Sequence, residues 1–436
     1  MKRPTPNHNE ITLTLEEMFF STTDQRGVLL DGNDVFRRIS KYSREELIGA
    51  PHNIIRHPDM PKIVFKTLWD TILEGKPICA YVKNLAKDGS FYWVFATVIP
   101  IGDHFLSIRM KSTTALKQVV EGLYKELITI EKDSGIEACS NALGRNLNTL
   151  GFADYNAFVL AALSAELSGR YKLQSTNENV MKQHYLSAVR DSFFKIFNII
   201  LKLSDHTQSI SEKIVKIREI SKKIEFSALN ATIEAERLGH EGRALAVIAQ
   251  HISLDAADAK KTNSTINLLA VTMLEMFRAG QLSAALSTLQ IEMLLCFMVQ
   301  WNEDQASMTE EGFKKNSEML SSLVEQSLEM AREIVLTLSQ DTHRLSLELD
   351  SVSKILLTLD FIQKNGSIEA ARLSDGSDFS QLFASILGVL KDSKLIYSEL
   401  SDLVNKIIKK EVTEAIREYE VITTHWRERE RSVLLA

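Results

Sequence analysis

The chain has 436 residues, 44% of them apolar and 25% charged, with a formal net charge of −6. That length allows two or three domains, each with its own core, and the mild negative balance without a long basic run argues against nucleic acid as a partner. Only 7 prolines and 18 glycines punctuate the chain, which points to long helices, while Cys79, Cys139 and Cys296 lie far apart without a paired spacing, as in a reducing compartment.

In chain order, the N-terminus MKRPTPNHNEITLTLEEMFF lacks the apolar core of a secretion signal. The most apolar run, IEMLLCFMV at 291–299, is short for a bilayer. The expectation is a soluble, cytoplasmic protein with no membrane span. Residues 1–20 read as an N-terminal cap. GVLLDGN suggests a strand closed by a turn, DVFRRISKYSREELIG short helices ended by Gly49, and PKIVFKTLWDTILEG a helix between proline and Gly75. ICAYVKNLAKDGSFYWVFATVIPIGDHFLSIRM offers three strands, the first two joined through Lys87-Asp88-Gly89. With a further strand near Phe19 to Asp24, the head forms a five-stranded antiparallel sheet with helices on one face. Trp93 and Tyr92 alternate on a strand, which makes one of the two a core residue.

All seven prolines lie in the first 100 residues, so the composition changes sharply after the head. Residues 114–175 read as connecting helices broken near Gly135 and Gly151. From 176 to 432, apolar residues recur every three or four positions, interrupted only at 239–242, 301–304 and 374–377. These breaks delimit four helices of about 60 residues, each about 90 Å long. NATIEAERL at 230–238 and NGSIEAARL at 365–373 agree at six of nine positions with a separation of 135. Ile210, Ile214, Ile217, Ile224, Ala235 and Leu238 fall on Leu345, Leu349, Val352, Leu359, Ala370 and Leu373 at the same separation. The body is therefore two copies of one helical hairpin, each able to bury the other's apolar stripe in an antiparallel four-helix bundle with both tips at one end.

The densest polar cluster is PHNIIRHPDMP at 51–61. Metal sites, catalytic clusters and cofactor pockets all use such residues. His52 and His57 lack a third ligand candidate for zinc. No nucleophile, base and orienting acid stand in a recognisable motif, and no phosphate-binding glycine loop occurs, so the chain reads as a non-enzyme. Cys79 reads as a small strand residue.

Through STTD, PHNIIRHPDMP, VKN and DGSFYWV, the segment 21–113 resembles the PAS domain of bacterial aerotaxis receptors, which binds FAD non-covalently and reports redox state. The resemblance implies that Arg56, His57 and Asp59 lie at the cofactor pocket, Trp69 on the helix beside it and Asn84 on the strand facing it. Arginine and histidine can donate to pyrophosphate or ribityl oxygens, and an asparagine amide matches the flavin's pyrimidine edge. Ile78 stands where the family often has tryptophan. Haem, held by one histidine in some PAS domains, is the alternative cofactor.

ALNATIEAERLGHEGRALAVIA at 228–249 resembles the signalling hairpin of methyl-accepting chemotaxis proteins, whose tip binds the chemotaxis histidine kinase and its coupling protein. The equivalent surface is Asn230, Ile233, Glu234, Arg237 and Val247. Lys222-Lys223-Ile224-Glu225 replaces the family's Phe-Gln-Thr-Asn run, and His240 replaces the acidic residue at the turn. The C-terminal RSVLLA lacks the tether that recruits the methylating enzyme.

The fold expected is an α+β PAS domain followed by an all-α, internally duplicated, long antiparallel four-helix coiled-coil bundle. The molecule is then a monomer with an internal pseudo-dimer, or a homodimer through its PAS domains. The function expected is a redox or oxygen sensor acting on the chemotaxis kinase. The alternative is a non-enzymatic scaffold, derived from such a receptor, that binds a different partner.

Overall fold

A computed structural model of the chain describes residues 4–175, 186–237, 239, 242–303, 308–372 and 377–433. The chain divides into two compact units. One comprises Met1–Asp191, Ala285–Leu328 and Thr424–Ala436, the other Ser192–Ala284 and Glu329–Thr423.

The first unit is built on strands β1 (Met18–Asp24), β2 (Leu29–Gly32), β3 (Ile78–Leu85), β4 (Phe91–Ile101) and β5 (His104–Met110). They form one antiparallel sheet in the order β2-β1-β5-β4-β3. The Lys87-Asp88-Gly89 turn closes β3 onto β4, with Ala86 N–H donating to Ser90 O at 2.7 Å. Between β2 and β3 run helices α1 (Asp34–Ser40), α2 (Arg44–Leu47), a 3-10 turn (His52–Ile55) and α3 (Lys62–Leu73). The Ser43-x-x-Glu46 pattern caps α2, the Glu46 carboxylate accepting from Ser43 N–H at 2.9 Å. Residues before β1 lie along the β3–β4 hairpin, where Asn7 N–H donates to Gly89 O and Ile11 N–H to Phe91 O.

Helices cover both faces of this sheet, not one. α4 (Leu116–Thr149) and α5 (Tyr155–Ser175) pack on the face turned away from α1 to α3. Tyr124 Oη donates to Tyr81 O at 2.9 Å and Tyr155 Oη to Cys79 O at 3.3 Å. This explains why both Tyr92 and Trp93, on opposite faces of β4, are buried. A sheet covered twice reads as continuous apolar strands rather than as alternation. α4 bends at Gly135, whose φ of 82° is open to glycine alone without strain, and Gly151 separates it from α5.

The same unit takes in the last third of α8 (Arg243–Glu303) and the start of α9 (Glu310–Ala370). Phe20 meets Phe297 edge-on at 5.5 Å. Arg170 Nε donates to Glu292 Oε1 at 2.6 Å and Gln174 Nε2 joins at 2.8 Å, an ion pair with both partners buried. Contrary to expectation, Arg243–Asn302 contains a stretch long and apolar enough, by length and composition, to cross a bilayer, and 78% of it is buried inside the protein. The run at 291–299 is preceded by LSAALSTLQ, uncharged throughout, which extends the apolar character.

The second unit is the four-helix bundle. Its first arm is α6 (Leu186–Asp205) and α7 (Thr207–Arg237), and α8 and α9 supply the second and third as single 61-residue helices. The fourth is α10 (Ser377–Asp402), a π-turn (Leu403–Ile408) and α11 (Lys409–Val433). Two arms are therefore interrupted where uniform helices were expected. Ile210, Ile214, Ile217, Ile224 and Ala235 and their counterparts Leu345, Leu349, Val352, Leu359 and Ala370 share one buried core. The pairs Glu225–Lys260 and Arg218–Asn267 run antiparallel between α7 and α8. Lys195–Glu418, Lys202–Glu411 and Lys213–Glu399 do the same between the first and fourth arms. The room at Gly366 is taken by the Phe383 ring. Leu238, His240 and Leu373, the expected tip residues 241 and 374–376, and the connections 176–185 and 304–307 lie outside the described residues.

Candidate functional site

The Pro51–Pro61 segment is pinned at its start and its middle by backbone. His52 N–H donates to Gly27 O at 2.8 Å, Val28 bridges Pro51, and Arg56 bridges Asn84 on β3. Prolines leave no donors of their own at 51, 58 and 61, so the loop is anchored by the residues between them. It walls a cleft of about 780 Å³, lined by Arg56, His57, Asn53, Met60 and Lys62 together with Glu131 and Lys132 of α4. That volume suits a sizeable small molecule.

Arg56 lies in the cleft, its guanidinium 4.0 Å over the Phe65 ring and donating to Met60 O at 3.4 Å. His57 is 3% exposed, and its Nδ1 accepts from Asp59 N–H at 3.1 Å. Asn84 is 2% exposed, and its side-chain Nδ2 has no hydrogen-bond acceptor. Arg56 and His57 line the cleft, and Asn84 adjoins them through the Arg56–Asn84 backbone bridge without lining it. Trp69 stands apart from them, and Asp59 touches only His57 among them. The Asp59 carboxylate faces outward to Lys83 Nζ at 2.7 Å. Burial opposes its charge, but hydrogen bonding to Lys83 and the nearby His57 hold it below the usual carboxylate range. Trp69 packs edge-on against Phe105 at 5.9 Å and over Gly27, where an added Cβ would meet its ring at 2.9 Å.

Behind this group, the inner face of the sheet carries polar side chains that the sequence reading did not single out. Arg109 and Tyr92 are both buried there, and the Tyr92 hydroxyl, like Asn84 Nδ2, has no partner. Alternation in HFLSIRM was the available signal: Phe105, Ser107 and Arg109 share one face of β5. His52, partly exposed as a residue, turns its ring onto Arg109. Burial and the Arg109 charge push the imidazole down to about 3, so it is neutral. The Cys79 thiol is buried against Thr97 Oγ1 and pushed up to about 12 by that burial. Among the described residues, no group of three or more His, Cys, Asp or Glu side chains could hold a metal ion.

On the outer face, Glu166 of α5 is fully buried. It accepts from Tyr81 Oη at 2.8 Å, Thr113 N–H at 2.5 Å, Thr113 Oγ1 at 2.8 Å and Thr114 Oγ1 at 2.6 Å. Thr113 and Thr114 lead from β5 into α4, so one carboxylate ties β3, α5 and that linker together.

In the bundle, Asn230, Ile233, Arg237 and Val247 are exposed and Glu234 is half-buried. Arg237 pairs with Glu234 at 2.9 Å on the same helix.

Residues 30–113 match the PAS fold family. The aerotaxis receptor of Escherichia coli is 42% identical over 112 residues, 24% of this chain and 22% of that protein. Biofilm dispersion protein BdlA of Pseudomonas aeruginosa is 27% identical over 252 residues, 56% of this chain and 52% of that protein. Methyl-accepting chemotaxis protein McpC of Bacillus subtilis is 34% identical over 79 residues, 17% of this chain and 12% of that protein. The chain thus spans 22% of the first of these relatives and about half of the second. It carries an N-terminal PAS domain joined to a chemotaxis-receptor-like helical region.

Proposed function

We propose that the protein is a cytoplasmic, non-enzymatic signal transducer whose PAS domain holds a flavin, FAD, and whose bundle acts on the chemotaxis kinase and coupling protein. The observation that carries the reading is Asn84: a buried amide with an unused donor, bridged to Arg56 beside a cleft of about 780 Å³. An amide in that position suits the pyrimidine edge of a flavin. Arg56 and His57 in the cleft would donate to phosphate or ribityl oxygens, with Asp59 fixing the loop through Lys83 and Trp69 closing the side at Gly27. A bound flavin supplies reversible electron uptake, and so a change in what the pocket must hydrogen-bond.

The chain's own part is to pass that change on. Asn84 and Tyr81 belong to the same strand and point to opposite faces, so a shift of β3 at the pocket moves the Tyr81 hydroxyl at Glu166 and the carbonyls held by Tyr124 and Tyr155. α4 and α5 are the elements that receive it. In the bundle, Asn230, Ile233, Glu234, Arg237 and Val247 form the proposed contact with the kinase and coupling protein.

The first test is the absorbance spectrum of the purified chain. A two-banded flavin spectrum supports the reading, a single Soret band transfers the pocket to haem, and a colourless protein removes the sensor function. The altered residues at 222–225 favour a scaffold for another partner. Pull-down with the chemotaxis coupling protein separates the two, since capture that depends on Glu234 and Arg237 rules the scaffold out.

A further inference from the structure

The inner face of the sheet holds one full charge outside the set Arg56, His57, Asp59, Trp69 and Asn84. Arg109 is 2% exposed and lies across from Phe19 in the β1–β5 ladder. Its guanidinium stands 5.3 Å from the Phe19 ring centre and 5.6 Å from that of Phe36, and these two rings are stacked on one another. One terminal nitrogen donates to Ser21 Oγ at 2.9 Å and Ser107 O at 3.4 Å, and the other meets His52 Nε2 at 2.5 Å. Arginine can only donate, so Nε2 is the unprotonated nitrogen of the ring. All three acceptors are neutral. Among the described residues no carboxylate lies within ion-pair distance of Arg109.

A buried cation without a counter-charge costs several kcal/mol. Bridging Ser21 to the Ser107 carbonyl does not require it, since a neutral amide could do the same. Two more donors crowd the same place. Tyr92, whose hydroxyl is unpartnered, lies edge-on to Phe19 at 6.3 Å, and Asn84, with its free Nδ2, is its direct partner across the β3–β4 ladder. A guanidinium and two unused donors on one apolar face form a receptor for an electron-rich edge.

We infer that Arg109, which does not line the cleft but lies behind His52 on the inner sheet face, is the charge-bearing ligand of that face, donating to an electron-rich edge of the ring system bound against it, with His52 as the neutral acceptor that holds the guanidinium until the ligand arrives. The inference rests on the flavin reading and deepens it. A ring that takes two electrons and one proton from an external reductant gains one negative charge, and a fixed cation in a water-poor site favours that product. Arg109 therefore raises the reduction potential of the bound group.

The test uses the full-length chain, its Arg109→Met and Arg109→Lys variants, flavin content, a spectroscopic titration with dithionite, and melting of flavin-stripped protein. In Arg109→Met the expected shift is to more negative potential by at least a tenfold change in the equilibrium, about 30 mV for a two-electron couple. Arg109→Lys falls between, and stripped Arg109→Met melts no lower than the parent. Loss of flavin from Arg109→Met alone, with melting unchanged, also supports the assignment. An unchanged potential with flavin bound overturns it and leaves the proposed function standing. A large drop in melting temperature of the stripped variant overturns it too, by showing that the guanidinium serves the sheet. A parent chain that binds no flavin brings down both.

Discussion

The inside of the PAS sheet and the seam of the bundle are both dry, yet they are built on opposite rules. The seam is Ile, Leu, Val and Ala at heptad positions, and the few polar groups buried along it are mostly uncharged, some answering one another, as Ser221, Asn263 and Tyr397 do across three helices, others left partly unpaired, as Thr342 Oγ1 and Gln363 Oε1 are. The inner sheet face keeps a guanidinium without a carboxylate and two donors with nothing to donate to. A seam of the first kind specifies a shape. A face of the second kind gives up stability, and on the proposed reading the bound group completes it.

Four substitutions sharpen that contrast. Leu349, fully buried in the seam, should cost the most: Leu349→Ala is expected to destabilise the bundle by about 2–5 kcal/mol, read by urea denaturation with helical circular dichroism. A loss below about 1 kcal/mol would mean that the seam closes over the cavity. Asn84→Ala should behave in the opposite sense, weakening flavin retention by about 1–3 kcal/mol while leaving melting of the flavin-free protein unchanged. Full retention in a flavin assay would remove Asn84 from the pocket.

The third concerns pH. Folded His52 takes up its proton only near about 3, whereas a histidine in the unfolded chain does so near about 6.5. The unfolded state therefore binds the extra proton between those values. This contribution to stability is complete above about pH 6.5 and declines as pH falls, with a slope of at most about 1.4 kcal/mol per pH unit. His52→Gln should flatten that part of the stability curve, and an unaltered slope would show that the ring is not held neutral. Tyr81→Phe is the mildest. It takes one of five donors from Glu166, Thr114 N–H at 3.3 Å included, at an expected cost of about 1 kcal/mol, and its interest lies in whether spectral changes at the pocket still alter hydrogen exchange in α4 and α5. If they do so undiminished, Glu166 is not the route.

Much of this was legible in the residues. Gly and Pro punctuation marked the strands and helices of the head in order, and the 135-residue repeat marked the seam, because local turn chemistry and heptad spacing are written residue by residue. The second helical layer on the sheet was not, since α4 and α5 read as connectors until the unbroken apolar character of β3 and β4 is taken as burial on both faces. Arg56 and Asn84 are joined by a backbone bridge that no spacing encodes. Arg109 escaped because a charged residue in a strand ordinarily signals solvent, and its burial depends on Phe19 and Phe36, brought in from distant parts of the chain.

The break at His206 and the π-turn at Leu403–Ile408 stand at one level of the bundle, bracketed on both sides by the pairs Lys202–Glu411 and Lys213–Glu399. Neither place has a glycine or a proline. Within the π-turn Leu403, Val404 and Ile408 are buried, and Val412 and Ala415 carry the buried stripe on into α11. An α-helix advances about 100° per residue, so the number of residues in the wide turn sets the phase in which the following helix meets the seam. Remove a single residue from the turn, and every side chain downstream, Val412, Ala415 and Ile422 included, would face a quarter-turn away from the groove it now fills.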